Sequence, residues 1–331
     1  MHFLKFLLSR LITFFGVILI GVTAVFFIPR FLPSNPVDNM VGRMLSMGNV
    51  SPDAVQGIRD SLNALFGLEG SVFSQYLGFL KRVIFTHDFG PSLAFFPTPV
   101  MELVGRALPW TCGLLLVSTI IAFIFGNAIG LIAAIHKDKG YSRILESLAI
   151  VFYPIPYYIL GLILVIFFCY LIPLFPLGYS FNGSITDISY LISIIKNSFL
   201  PALSIIINGF GWWVISMKSV ATAAAEEDYI FFARLKGLSR NRITSGYILP
   251  NVLLPQMTTL ALQLGTMFGG AMLMEMIFTY PGLGNLIYKA ILRGDYNLIM
   301  GTITITIVAV AVTSLLIDLL YPFFDPRIRY Q

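Results

Sequence analysis

From Leu108 to Ile135 the chain runs for 28 residues without a charged side chain. A bilayer crossing needs only about 20 apolar residues as a helix, and within lipid a helix is one of the few structures that satisfy their own backbone polar groups. Further apolar runs cover residues 11–28, a stretch beginning near Leu148, and 200–217, 252–277 and 298–321, the last two with one acid each, Glu275 and Asp318. The reading is an all-α polytopic membrane protein of about six transmembrane helices. Composition agrees, with 57% hydrophobic and 11% charged residues, where a soluble domain carries about 25% charged. Mean hydropathy is +0.85.

The charges are placed by loop. Lys137, Lys139, Arg143, Lys218, Arg234, Lys236, Arg240 and Arg242 all fall in two inter-span segments, 136–146 and 218–250. Positive residues stay cytosolic, so both segments and, with six spans, both termini are expected in the cytosol. The net charge of +5 then needs no nucleic-acid surface to explain it. Residues 33–97 are expected outside, because Arg30 to Pro97 holds five basic and five acidic residues. Within that segment Ser51-Pro52-Asp53 reads as a helix start and Gly67 as its stop; Phe175 to Asn197 reads as a second, smaller external loop. The first run has no small-residue cleavage site after it, since FFIPRFLP follows, so it is expected to be retained as a helix. The division is a first helix over 1–29, an external segment over 30–97 and a core over 98–331.

One cytosolic stretch, 221–255, is unlike its surroundings. Ala223 to Ala225 and the acids Glu226, Glu227 and Asp228 come first, Arg234 and Lys236 follow, and then Gly237. Early acids, late bases and a terminal glycine suit a helix dipole and its C-terminal cap. Phe231, Leu235 and Leu238 fall at i, i+4 and i+7, an apolar stripe in need of a partner. Ser239 is placed to cap a second short helix that stops before Pro250.

This stretch resembles the EAA loop of permease subunits of ABC importers, whose pattern is E-A-A, three residues, G, nine residues, I-x-L-P. Ala233, Gly237, Leu249 and Pro250 match at that spacing; Phe231, Phe232 and Tyr247 depart from it. The peptide-importer branch is closer. Asp228-Tyr229, Ala233-Arg234 and Lys236-Gly237-Leu238 are similar to its D-Y-x-x-T-A-R-A-K-G-L, with Phe232 and Leu235 in place of its threonine and alanine. Further markers are Gly67-Leu68, Gln75-Tyr76, Asp88-Phe89-Gly90 then Ser92, Pro99-Val100, the P-x-P-x-x-x-L-G pattern from Pro154 to Gly161, Tyr280-Pro281-Gly282-Leu283-Gly284 with the amphipathic residues Leu286, Ile287, Ala290 and Ile291 after it, and the closing Asp325-Pro326-Arg327-Ile328-Arg329-Tyr330. The resemblance implies the type I importer fold and a loop that couples to ATPase subunits through Asp228, Phe231, Ala233, Arg234, Leu235, Lys236, Gly237, Leu238 and Pro250. It also implies the partners: a second related permease, two ATPase subunits that bind the ATP and Mg, and an extracytoplasmic substrate-binding protein. Its substrates are di- and oligopeptides, with oligosaccharides and nickel as alternatives.

Other chemistry is poorly supported. There is no G-x-x-x-x-G-K-[ST], no H-E-x-x-H and no G-x-S-x-G, so neither an ATP cradle nor a protease or esterase site is expected. The three histidines lie outside the spans, and no metal centre or cofactor is expected in this chain. Cys112 and Cys169 sit in apolar runs and make no disulfide framework. The rival class, a channel or ion-coupled transporter, predicts acids deep in the spans. Glu275 and Asp318 are instead expected near span ends, in interfacial, helix-pairing or gating roles. Asn208 and Gln263, nearer mid-membrane, are expected to bond between helices or to line a path; Pro281, Gly282 and Gly284 complete the candidate path or gate.

Overall fold

A computed structural model describes residues 2–31, 37–38, 41–42, 45, 52–65, 67–176, 178, 187–266 and 271–324. The α-helices used below are α1 (His2–Phe27), α2 (Pro52–Leu65), α3 (Val72–Lys81), α4 (Val100–Ile135), α5 (Gly140–Phe152), α6 (Tyr157–Val165), α7 (Ile188–Ala225), α8 (Asp228–Leu235), α9 (Arg240–Ile243), α10 (Leu249–Thr266), α11 (Ala271–Ile277), α12 (Leu283–Arg293) and α13 (Tyr296–Phe324). Among the described residues there is no strand, only an isolated bridge between Pro91 and Pro99.

Four of these helices, α1, α4, α7 and α13, are long and apolar enough to cross a membrane. The pair α5 and α6 makes a fifth crossing if it is one span, bent by 94°. The expected fifth span of the sequence falls on α10 and α11, on either side of residues 267–270, which lie outside the described residues together with Gly269 and Gly270. The closing 325–330 motif lies outside them too.

The bend follows from local chemistry. Pro154 and Pro156 lack the N–H that continues a helix, so the helix ends at Phe152 and restarts at Tyr157, and the freed carbonyls need donors. Asn208 on α7 supplies them, its Nδ2 donating to the carbonyls of Tyr153 at 3.2 Å and Ile155 at 2.8 Å.

Two long helices exceed their sequence limits. The 36 residues of α4 enclose Pro109, and the 38 residues of α7 enclose Pro201. Ile188 to Asn197, expected as loop, is helical, because Ile188, Leu191, Ile192 and Ile195 recur at helical spacing between its polar residues. At the other end Ala223 to Ala225 finish α7 rather than open the next helix.

The chain divides into two compact units, one of residues 1–10, 112–280 and 313–331, the other of 11–111 and 281–312. In the first, α4 meets α7 at close range. A Cβ on Gly126 would lie 2.4 Å from Trp213 Cβ, and one on Gly130 would lie 2.7 Å from the Val214 carbonyl. Small residues four apart let two helix backbones approach in this way. The second unit has its own core, in which Val22, Val25 and Phe26 of α1 join Phe79, Phe89, Val100, Val104, Leu283 and Leu298.

Candidate functional site

The site is the turn-and-helix connection between α7 and α10. After Glu226 and Glu227 turn the chain out of α7, α8 starts at Asp228 with its acid in the first turn and Arg234 in the last. Its C-terminus is closed by two backbone bonds, Gly237 N–H to the Arg234 carbonyl at 2.9 Å and Leu238 N–H to the Ala233 carbonyl at 3.3 Å. That pair defines a Schellman cap, which requires a left-handed residue between helix and loop. Gly237 provides it at φ +77°. Ser239 then caps α9, its Oγ accepting from the Arg242 N–H at 3.4 Å.

Pro250 does not stop that second helix. A wide π-helical turn, Thr244–Ile248, joins α9 to α10, and Pro250 rides in the first turn of α10. A π-bulge accommodates a residue without an N–H, and the Asn251 side chain donates to the nearby Tyr247 carbonyl at 2.7 Å.

The two faces of α8 differ. Ile230 and Ala233 are buried against Met217, Ala221, Ile243, Ile248 and Val252, and Leu238 packs beside them. Leu238 therefore belongs to the inward cluster, not to the outward stripe expected from its spacing, because the cap turns the chain back at Gly237. The outward face is Phe231, Phe232 and Leu235, at 58%, 60% and 67% exposure. Charged residues surround it: Asp228, Arg234 and Lys236 are all exposed.

Ion pairs hold the nearby helix ends of the same unit. Glu146 pairs with Lys218, Lys137 with Glu226 at 4.0 Å, and Arg10 with Asp318 at 3.2 Å. Asp318 thus pairs two helices, one of the roles expected for it. Arg234 also reaches back to the Ala225 carbonyl at 3.4 Å. A cavity of about 440 Å³ lies behind the loop, lined by Lys137, Glu226, Arg234, Arg240 and Ile243 among others.

The path candidates divide between the units. Asn208, Gln263 and Glu275 lie in the first; Pro281, Gly282 and Gly284 lie in the second. Glu275 is fully buried in α11, where Cys112, Tyr157 and Tyr280 are within electrostatic range. Its side chain is packed among neighbouring residues of the same unit, as a helix-pairing role requires. Gln263 is half-buried in α10. Gly282 and Gly284 are buried at the start of α12, and the intervening Leu283 N–H donates to Thr111 Oγ1 at 2.8 Å. Of the amphipathic residues expected on α12, Ala290 is buried but Ile291 is exposed.

A family model described as the binding-protein-dependent transport system inner membrane component matches residues 126–330. The chain belongs to this family. Its relatives include the oligopeptide transport system permease protein AppB of Bacillus subtilis (strain 168), 32% identical over 320 residues and covering 95% of this chain and 96% of the relative. The dipeptide transport system permease protein DppB of the same organism is 28% identical over 325 residues, 98% of each chain. The di/tripeptide transport system permease protein DppB of Pseudomonas aeruginosa (strain UCBPP-PA14) is 30% identical over 340 residues, 96% of each. The matched region holds all of α5 to α13.

Three features of this inner membrane component were not singled out from its sequence. Gln256, buried on α10, exchanges hydrogen bonds with Ser216 of α7 at 3.0 and 3.3 Å; a polar residue beside Pro255 in an apolar helix was the available signal. Asp295, fully buried between α12 and α13, accepts from the Ser92 hydroxyl, from the Ala94 N–H at 2.8 Å and from the Leu298 N–H at 3.0 Å. Arg293 adds a bond to the Ala94 carbonyl at 2.8 Å and lies over the Phe95 ring. Arg30 lies 3.5 Å from the Phe26 ring centroid and donates to the Phe26 carbonyl at 2.9 Å. Burial, with the Arg82 charge nearby, lowers Arg30 to about 10, which leaves it a cation at neutral pH.

Proposed function

We propose that this chain is the membrane-spanning permease subunit of an ATP-driven importer of di- and oligopeptides. It works with a second related permease, two ATPase subunits and an extracytoplasmic substrate-binding protein. ATP and Mg belong to the ATPase subunits, since the sequence has no phosphate-cradling motif, and the chain carries out no chemistry of its own. Both termini and residues 218–250 face the cytosol, and residues 33–97 face outward, as the positive-inside rule directs. Residues 30–97 serve as the external segment and 98–331 as the permease core.

The observation that carries this reading is α8. Its rear face is packed onto the helices of its own unit, its end is fixed by the Gly237 cap, and its front face of Phe231, Phe232 and Leu235 is exposed. Such an element suits helix-in-groove recognition, and its tight attachment allows it to pass a push from an ATPase to the spans. Asp228, Arg234 and Lys236 supply the polar rim of that contact, with Pro250 at the root of α10. A weakly polar path is expected, with Asn208, Gln263 and Glu275 as its candidates in the first unit, while Pro281, Gly282 and Gly284 are path or gate candidates within the second. Peptides are the substrate class because the relatives named above are oligopeptide, dipeptide and di/tripeptide permeases.

The test is uptake into proteoliposomes holding the whole complex, with its binding protein outside and ATP inside. Labelled di- and oligopeptides should accumulate only with ATP. Accumulation of nickel or an oligosaccharide in place of peptides, or flux that needs no ATP, would overturn the assignment.

A further inference from the structure

Residues Val72–Thr86, α3 with the π-helical turn that extends it, have three faces. One packs inward: Phe79 is buried, with its ring 5.2 Å from Phe26 of α1, and Tyr76 lies 5.2 Å from Phe26 and 5.5 Å from Phe27. The second carries the basic residues, where Ser74, Gly78, Lys81 and Arg82, with the exposed Phe85 at its end, border an open cavity of about 450 Å³. Between them runs a third face of Phe73, Leu77 and Ile84, at 67%, 51% and 57% exposure. Spacings of four and seven residues align these three as one stripe. A helix in water has no reason to present such a stripe beside a polar face.

The depth of this element is fixed by its bonds. Tyr76 Oη and Thr23 Oγ1 are hydrogen-bonded at 2.7 Å, and Thr23 lies inside the apolar run Lys5–Phe27 that crosses the membrane. It is four residues short of the end of that run, or about 6 Å at a helical rise of 1.5 Å per residue. Gln75 is also held by Arg30, just beyond the run, at 3.3 Å. One turn of α3 thus touches α1 within the apolar run and the turn just beyond it. About one turn deeper α1 leaves Leu19 and Ile20 exposed, side chains suited to lipid. Helices that lie in a bilayer surface sink about 5–10 Å into the headgroup–acyl boundary, apolar face down and basic residues on the other face.

We propose that Val72–Thr86 is an interfacial helix lying in the bilayer surface at the C-terminal end of α1, with Phe73, Leu77 and Ile84 in lipid and Lys81 and Arg82 among the headgroups. The segment is then a membrane-surface anchor for the core that Phe26 and Phe79 share. The inference holds whichever solute the complex carries.

Spin labels test it in the assembled complex in bilayers, with Cys112→Ala and Cys169→Ala removing the native thiols. Labels go on Phe73→Cys, Leu77→Cys and Ile84→Cys for the lipid face, and on Ser74→Cys and Lys81→Cys for the polar face. The first three should show a several-fold higher ratio of oxygen to nickel-chelate accessibility than the last two, unchanged by adding the binding protein. Nickel access at Leu77 and Ile84 equal to that at Lys81 would overturn the proposal, as would low access to both reagents, the sign of a protein covering the stripe. If a label disturbs packing, a Leu77→Trp variant with brominated lipids reads the same contact: strong quenching supports it and none refutes it.

Discussion

Replacing Gly237 by valine isolates what the cap contributes. At φ +77° the glycine occupies a conformation that a residue with a Cβ adopts only under strain, and nothing lies within 4 Å of where that Cβ would be. A Cβ there meets no neighbour, so the main cost is backbone strain of roughly 1–2 kcal/mol. That is a factor of about 5–30 in the population of the closed cap. Opening the cap releases the Arg234 and Ala233 carbonyls and frees Leu238 from its cluster, so α8 loses its fixed end while the spans stay intact. Asparagine tolerates the left-handed region far better, so Gly237→Asn should behave nearly as wild type. The assay compares insertion, ATP hydrolysis and peptide uptake in membranes holding all subunits. Gly237→Val should insert normally but lose several-fold in uptake per ATP hydrolysed, with Asn between it and glycine. Equal coupling in the valine and asparagine variants would refute the reasoning, because the two differ chiefly in backbone tolerance.

Other substitutions probe separate supports. Asn208→Leu removes the donor for two carbonyls at the α5–α6 break and should cost about 1–3 kcal/mol, visible as a lower thermal midpoint in detergent with unchanged substrate selectivity; a wild-type midpoint would contradict the bracing role. Asp295→Ala strips the acceptor from Ser92, Ala94 and Leu298 and should cost at least about 1–3 kcal/mol, so limited proteolysis should cut faster between residues 88 and 98; unchanged cleavage would remove Asp295 from its central place. For topology, an impermeant thiol reagent added to whole cells should label Ser61→Cys and spare Ser239→Cys, and the reverse pattern would invert the orientation.

Local rules read much of this chain directly. The start of α2 at Pro52 and the left-handed glycine that follows it at Gly67, the acid-to-base order along α8, and the left-handed role of Gly237 all depend on neighbours within a turn or two. What escaped depends on partners distant in sequence. Asp295 is an unremarkable loop acid until the fold brings Ser92 and Ala94 to it, some two hundred residues earlier in the chain. Gly126 and Gly130 have the spacing of a close helix contact, but only α7 gives that spacing meaning. The full burial of Glu275 likewise is set by what packs around α11 and not by its neighbours in sequence. Pro250 looked like a stop because a proline breaks regular α-helix; the wider π-helical turn before it lets the helix continue. Leu238 followed the stripe by counting but leaves the helix at the cap, where counting no longer applies.

Photocrosslinking from α8 tests the central claim most directly. A photoreactive phenylalanine analogue at Phe231 or at Leu235, in an assembled and transporting complex, should capture an ATPase subunit, while the same group at Phe73 should capture none. An active complex in which neither Phe231 nor Leu235 yields an ATPase adduct would contradict the assignment of this helix as the coupling element.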